Sequence, residues 1–304
     1  MNNQSSLTAL VSAFARSYHS QHATDKIFDD YLAHKLLTSE ESSLIEKNFA
    51  QSISFFNPEQ ASICQNEEDA LDWVMNTQCV PQTVSRARYA EDCLEQAIKF
   101  GVEQYVILGA GFDTFAFRRK DLLRNIHMFE LDHPATQSLK KERMRQQGWD
   151  LPDKLHFIPI DFINEDLTTV LKHTPFDSNK RTFFNWLGVT YYLTKETFYQ
   201  TFRSISKIAP ARSMVVFDYL DDAAFIPNQA SKRILQMQEM TKRAGEQLLT
   251  GFDPFTIDLE LQQANLLLYE NLSPENIEER YFTGREDHLH AFDHFHFAHA
   301  VIDK

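Results

Sequence analysis

The first 80 or so residues contain no glycine, and their apolar positions return every three or four residues: Leu7, Leu10, Val11 and Phe14, then Ile27, Tyr31, Leu32 and Leu36. That period marks one buried face of a helix. Thr38-Ser39-Glu40-Glu41 reads as a helix start, with acids in the first turn. A further amphipathic helix is expected over 86–100, closed by Gly101. From there the pattern changes. Short apolar runs at 105–108, 126–131, 155–160, 182–187 and 213–219 alternate with helical stretches at 134–147, 165–173 and 194–208. Strands separated by helices predict an α/β fold of βαβ units, with a parallel, Rossmann-like sheet covered on both faces. A polar helical stretch at 228–249 interrupts the series, with a strand after it at 265–270 and an alternating final strand at 294–302. The expected organisation is a helical annex over 1–85, covering a core over 86–304 that carries an insertion at about 222–255.

Composition narrows the function classes. The chain has 304 residues and a net charge of −13, which speaks against nucleic acid or an anionic membrane as partner. No run of about 18 apolar residues exists to cross a membrane. The start, MNNQSSLTAL, lacks the basic and apolar regions of a signal peptide. Cys64, Cys79 and Cys93 have no metal-site or CxxC spacing. A cytoplasmic protein with free thiols is the expectation. Its oligomeric state is not legible.

With only 8 glycines in the chain, the pair in "YVILGAGFDTFAFRR" stands out at the end of the first strand. Ligands of open α/β sheets lie beyond the carboxyl ends of the strands, and the first βα turn carries the glycines that let a ligand approach the backbone. A dinucleotide turn would read GxGxxG. Here Thr114 replaces the third glycine, and Asp113 would set a negative charge beside two phosphates. At about 4 Å and an effective dielectric near 20 that repulsion is about 4 kcal/mol. A nicotinamide-dependent oxidoreductase is therefore disfavoured. S-adenosylmethionine has no phosphate and carries two cationic groups, so a nearby carboxylate suits it. The turn Gly109-Ala110-Gly111 is then expected to receive its amino-acid part. Glu130 and Asp132 in "HMFELDHP", about 20 residues further on, are the expected acceptors for ribose hydroxyls. In an extended strand their side chains point the same way. Asp161 and Phe162 in "FIPIDF" are the expected partners of the adenine amino group and ring.

The ordered set "SRARYAED … YVILGAGFDTFAFR … FELDHPATQSLKKERM … IPIDF … NWLGVTYYL … FDY" resembles the leucine carboxyl methyltransferase family of class I S-adenosylmethionine-dependent enzymes. The likeness is nearest to its bacterial branch of small-molecule O-methyltransferases, good over residues 5 to 220 and looser beyond. The resemblance implies that Arg86 pairs with the cofactor carboxylate, as a guanidinium fork does well. The other reading of Arg86 is an ion pair with Glu91 or Asp92 on its own helix. Gly109 and Gly111 match the family's glycine turn, Asp132 its ribose acid, with Glu130 beside it, and Asp161 and Phe162 its adenine pair.

One departure is clear. Many relatives end the fourth strand in Glu-Gly, and this chain has Leu187-Gly188, which removes an acid near the sulfonium or the acceptor. That speaks against the protein-carboxylate substrate of the founding members. The implied function is methyl transfer to a carboxyl or hydroxyl oxygen of a small molecule, and the alternative is a catalytically silent protein that binds S-adenosylmethionine. Tyr191 and Tyr192 follow the strand and either shape the transfer site or pack the next helix. Tyr192 and His19 are the catalytic candidates. Arg16 and Tyr18 lie in the same N-terminal segment as His19. His294, His296 and His299 are explained as well by an alternating strand as by a metal site, and no metal is expected.

Overall fold

The computed structural model describes residues 6–162 and 164–304. Seven strands form one sheet: β1 (Gln104–Leu108), β2 (His127–Asp132), β3 (Leu155–Pro159), β4 (Thr182–Trp186), β5 (Met214–Leu220), β6 (Leu266–Leu272) and β7 (Phe295–Ile302). Their order across the sheet is β3-β2-β1-β4-β5-β7-β6. β1 to β5 pair in parallel, and each runs at the position its apolar pattern predicts, within two residues. The chain steps outward from β1 through β2 to β3, then returns to place β4 on the other side of β1. That reversal opens a crevice beyond the carboxyl ends of β1 and β4.

The sheet is mixed, not wholly parallel. β7 inserts between β5 and β6 and runs antiparallel to both. Its alternating histidines suggested a polar face, yet seven of its eight residues are buried. The imidazoles are absorbed by aromatic neighbours. His296 stacks on Tyr219 at 5.0 Å, and His299 packs edge-on to Phe183 and Tyr269.

Apolar layers cover both faces. Val106, Phe129, Phe184, Trp186 and Phe217 pack under the helices Lys195–Ile208 and Ile257–Gln262. On the opposite face Tyr105, Ile107 and Phe183 join the annex. Its first helix, α1 (Leu7–His22), is capped by Ser6, which accepts from the Ala9 N–H, and contributes Leu10, Ala13, Phe14 and Tyr18. A helix does start where Thr38–Glu41 suggests, and Thr38 and Glu41 close it with a capping box. Annex and core share this one apolar cluster. The expected boundary at 85 falls inside a single helix, Val80–Lys99, whose Val84, Tyr89 and Leu94 bind the two regions together.

The insertion leaves and re-enters the sheet at one point. Asp222 N–H donates to Phe252 O at 3.1 Å, and Phe252 N–H to Leu220 O at 2.9 Å. Between them lies the helix Lys232–Arg243.

Candidate active site

The glycine turn is clipped to the end of β2. Gly109 and Ala110 donate their N–H groups to Leu131 O at 2.8 and 3.0 Å, and Gly111 donates to Asp132 Oδ2. His133 N–H donates to Asp132 Oδ1 at 2.6 Å. Burial pushes the Asp132 carboxyl up, and these two amides pull against that rise. Gly109 has φ +80°, and a Cβ there would lie 2.5 Å from Val189 Cγ2, so only glycine fits the contact between this turn and the loop after β4. Asp113 accepts from Phe115 N–H at 2.7 Å and so starts the short helix Phe115–Arg118.

Beside Asp132 an open pocket of about 470 Å³ is lined by His133, Pro134, Ala135, Ser138 and Asp161. Asp161 accepts from Asn164 Nδ2 at 2.7 Å, and Phe162 packs against the apolar layer next to it. Asp161 thus shares this pocket with His133, the residue that follows Asp132 in the chain.

Glu130 goes elsewhere. It is fully buried, with its carboxylate held by Lys140 of the helix Pro134–Gln146. Burial dominates and raises its pKa to about 7 despite that lysine. Its Oε1 has no hydrogen-bond partner among the described residues. The expected Glu130–Asp132 pair facing one ligand does not form: two residues deeper in the strand, the side chain meets a covering helix, not the crevice.

Arg86 sits at the crevice with neither of its helix neighbours as partner. Nη1 donates to Tyr191 Oη at 2.8 Å and to Asp218 Oδ2 at 3.1 Å, and Nη2 approaches Ser12 Oγ at 3.5 Å. The guanidinium lies flat against Gly188, where φ is +74° and a Cβ would come within 2.8 Å of Nη2. Gly188→Ala is therefore expected to lose about 1–2 kcal/mol from left-handed backbone strain. Displacement of Arg86 should weaken S-adenosylmethionine binding by about tenfold in addition. Calorimetry and thermal melts on the same variant check both, and unchanged binding would show that the Arg86–Gly188 contact is incidental.

α1 lies across this crevice. Ser6 N–H donates to Thr136 Oγ1 at 3.2 Å, and Ala9 sits over Gly111. Glu246, after the insertion helix, receives Ser6 Oγ at 3.0 Å, Leu7 N–H at 3.2 Å and the Thr8 hydroxyl. A carboxylate at a helix N-terminus also satisfies the helix dipole. Tyr192 faces Thr8 and Glu246 here, and burial pushes its phenol above the ordinary range, with Glu246 adding to the rise. At neutral pH it is a hydrogen-bond donor and not a base.

His19 is not brought to the crevice. It is buried inside the annex, where Nε2 accepts the Ile27 N–H at 3.0 Å. Burial, with the charge of Arg285 acting in the same direction, lowers its pKa to about 4. An unfolded histidine takes its proton near pH 6.5. Between pH 4 and 6.5 the unfolded chain therefore holds more protons, and stability falls as pH drops through that window. A wild type compared with His19→Gln by urea melts is expected to lose up to about 3 kcal/mol more between pH 7 and 4. Equal acid sensitivity in the two proteins would contradict this placement. Arg16, one turn earlier, does reach the motif loop: Nη2 donates to Phe112 O and Nε to Asp30, both at 2.8 Å.

Sequence reasoning assigned no role to Asp218, Asp30 or Glu246. Asp218 left a trace, since one acid stands inside the otherwise apolar strand MVVFDYL. Asp30 and Glu246 left none: Asp30 links Arg16 to Thr114, 84 positions away, and the partners of Glu246 lie more than 230 positions away.

The sequence profile of leucine carboxyl methyltransferase matches residues 9–206. This chain belongs to the leucine carboxyl methyltransferase family. YktD of Bacillus subtilis (strain 168), named as an S-adenosyl-L-methionine-dependent methyltransferase, is 42% identical over 98% of both chains. A protein of Mycobacteroides abscessus with the same style of name is 31% identical over 43% of each. A DUF574 family crystal structure from Streptomyces avermitilis shares the fold over 98% of both chains, with a TM-score of 0.57 at 11% identity. The protein is an S-adenosylmethionine-dependent methyltransferase of class I architecture, and S-adenosylmethionine is its cofactor. Among the described residues no helix is long and apolar enough to cross a membrane.

Proposed function

We propose that this family member transfers the methyl group to an oxygen of a small molecule that arrives already ionised, a carboxylate before a neutral hydroxyl. The observation that carries this reading is the chemistry of the crevice. Of the two catalytic candidates, His19 is sequestered in the annex and Tyr192 is a phenol pushed well above neutral. Glu246 is committed to the start of α1, and Arg86 is a permanent cation. None of these removes a proton near neutral pH, and a carboxylate oxygen needs none removed.

The cradle suits the cofactor. Gly109 and Gly188 admit Val189 and Arg86 close against the backbone, Asp132 ends β2 as a ribose acceptor, and Asp161 lines the adjoining pocket for the adenine. Arg86 offers its Nη2 side to the methionyl carboxylate. When bound, the cofactor supplies an electrophilic methyl on a sulfonium, whose C–S electrons return to sulfur on transfer. The chain's own part is alignment: α1 covers the crevice and excludes water, and Tyr192 donates from the rim.

The test begins with calorimetric titration of S-adenosylmethionine, with NADH as the control. S-adenosylhomocysteine formation is then followed over a panel of small carboxylic acids and phenols. Carboxylate acceptors are expected to give a rate that is flat from about pH 6 to 9, since His19 is held well below that range and Tyr192 and Arg86 well above it. Turnover of phenols alone, with a rate limb near pH 7, would overturn the reading.

A further inference from the structure

Asp218 is the one acid in β5, wholly buried, and each of its side-chain oxygens and its carbonyl accepts a hydrogen bond. Oδ1 accepts from Gly188 N–H at 2.6 Å. Oδ2 accepts from Arg86 Nη1 at 3.1 Å and from Gln82 Nε2 at 3.2 Å. Its carbonyl accepts from the Thr190 hydroxyl. One side chain thereby joins the helix of Arg86, the loop after β4 and the strand end of β5.

We propose that Asp218 is a positioning residue of the methyl-transfer site: it pins Arg86 through Nη1, so that the Nη2 side is presented to the methionyl carboxylate, and its charge balances that of Arg86. This rests on the cofactor placement proposed above. Tyr191 is the second pin on the same nitrogen, at 2.8 Å. With Nη1 committed twice, the guanidinium cannot rotate, and its contact with Gly188 fixes the plane. Less ordering remains to be done when the ligand arrives.

Charge acts in the same direction. S-adenosylmethionine carries a carboxylate, an ammonium and a sulfonium, so it is a net cation. Arg86 alone would present a buried positive charge to it. Arg86 with Asp218 presents a neutral pair that still donates to the carboxylate. Removing the acid relieves its repulsion of one ligand carboxylate but loses its attraction for two ligand cations, and the balance is unfavourable. Leu187 supplies no charge of its own at this point of the wall.

In Asp218→Asn, the amide either loses the Gly188 contact or turns an N–H₂ toward Arg86 Nη1 and Gln82 Nε2, which are themselves donors. The first arrangement leaves Arg86 a neutral acceptor in place of a charged one, and the second releases it. The experiment titrates S-adenosylmethionine and 5′-methylthioadenosine into wild type, Asp218→Asn and Tyr191→Phe. The second ligand has the adenosine and lacks the amino-acid part, so it does not sense Arg86. Asp218→Asn is expected to weaken S-adenosylmethionine by at least about tenfold, and Tyr191→Phe by about threefold, while 5′-methylthioadenosine changes by less than about twofold in both. Retained binding of 5′-methylthioadenosine also shows that each variant is folded. Equal losses for the two ligands would mean that Asp218 is merely structural, and unchanged S-adenosylmethionine binding would remove it from the site. If Asp218→Asn does not fold, Asp218→Glu, which keeps the charge but displaces the oxygens that hold Arg86 Nη1 and Gly188 N–H, is titrated in its place with the same expected contrast between the two ligands. A wild type that binds neither ligand would sink the cofactor placement itself and the role of Asp218 with it.

Discussion

Asp30→Ala is expected to destabilise the protein by about 3–5 kcal/mol, the cost of leaving a buried ion cluster without its shared partner. Asp30 is 1% exposed and accepts from Arg16 Nε at 2.8 Å and from the Thr114 hydroxyl, with Arg118 Nε at 3.4 Å. Burial alone would push its carboxyl up, but Arg16 and Arg118 more than reverse that and hold it below the usual carboxylate range. Arg118 is itself paired with Glu91 and lies over the Phe28 ring at 4.5 Å. The cluster joins the annex, the glycine-turn loop and the helix Val80–Lys99. Its loss therefore uncouples the cover of the crevice from its floor. Urea melts measure the stability, and hydrogen exchange over residues 7–36 should rise before global unfolding. A loss below about 1 kcal/mol with unchanged exchange would mean that the apolar contacts of α1 hold the annex unaided. Because the folded pKa is depressed, this contribution is present above the unfolded carboxylate pKa and disappears as pH falls through the lower folded value.

Asp132→Ala should have the largest effect on ligand binding, about a hundredfold or more in S-adenosylmethionine affinity. Two ribose hydroxyls donating to one carboxylate are each worth about 1.5–3 kcal/mol as charge-assisted bonds, and every 1.4 kcal/mol is tenfold. In the structure the same carboxylate receives Gly111 N–H and His133 N–H, so it also sets the shape of the glycine turn. Stability should fall less than affinity, because His133 lines the open pocket, where water can replace the lost acceptor. Calorimetry reads the affinity, and a loss under about threefold would move the ribose away from β2.

Much of this was legible along the chain. Alternation of short apolar runs with helical stretches located β1 to β5, because a buried strand must be apolar over its whole length. Glycine's scarcity made the turn after β1 visible, since a positive φ at Gly109 excludes almost every other residue. Asp132 and Asp161 were singled out because strand ends and ligand positions are tied together in this architecture. Where the reading failed, the reason was a partner distant in sequence. Glu130 has the strand period of Asp132 but faces Lys140, and only the packing of a helix decides that. His19 has the local surroundings of a candidate base, yet its neighbours across the annex keep it dry and neutral.

By itself, then, the sequence determined the strand series, the glycine turn and the two acids at the strand ends, all of which depend on local period and backbone freedom. The antiparallel entry of β7, the burial of its histidines and the closure of α1 over the crevice by Glu246 were decided only by the tertiary structure. So was the choice of Asp218 as the partner of Arg86, across 132 positions. The physical reason is common to all four. A charge or a polar ring taken out of water must find its counterpart in space, and the nearest one in the folded chain is set by how layers pack and not by spacing along the sequence.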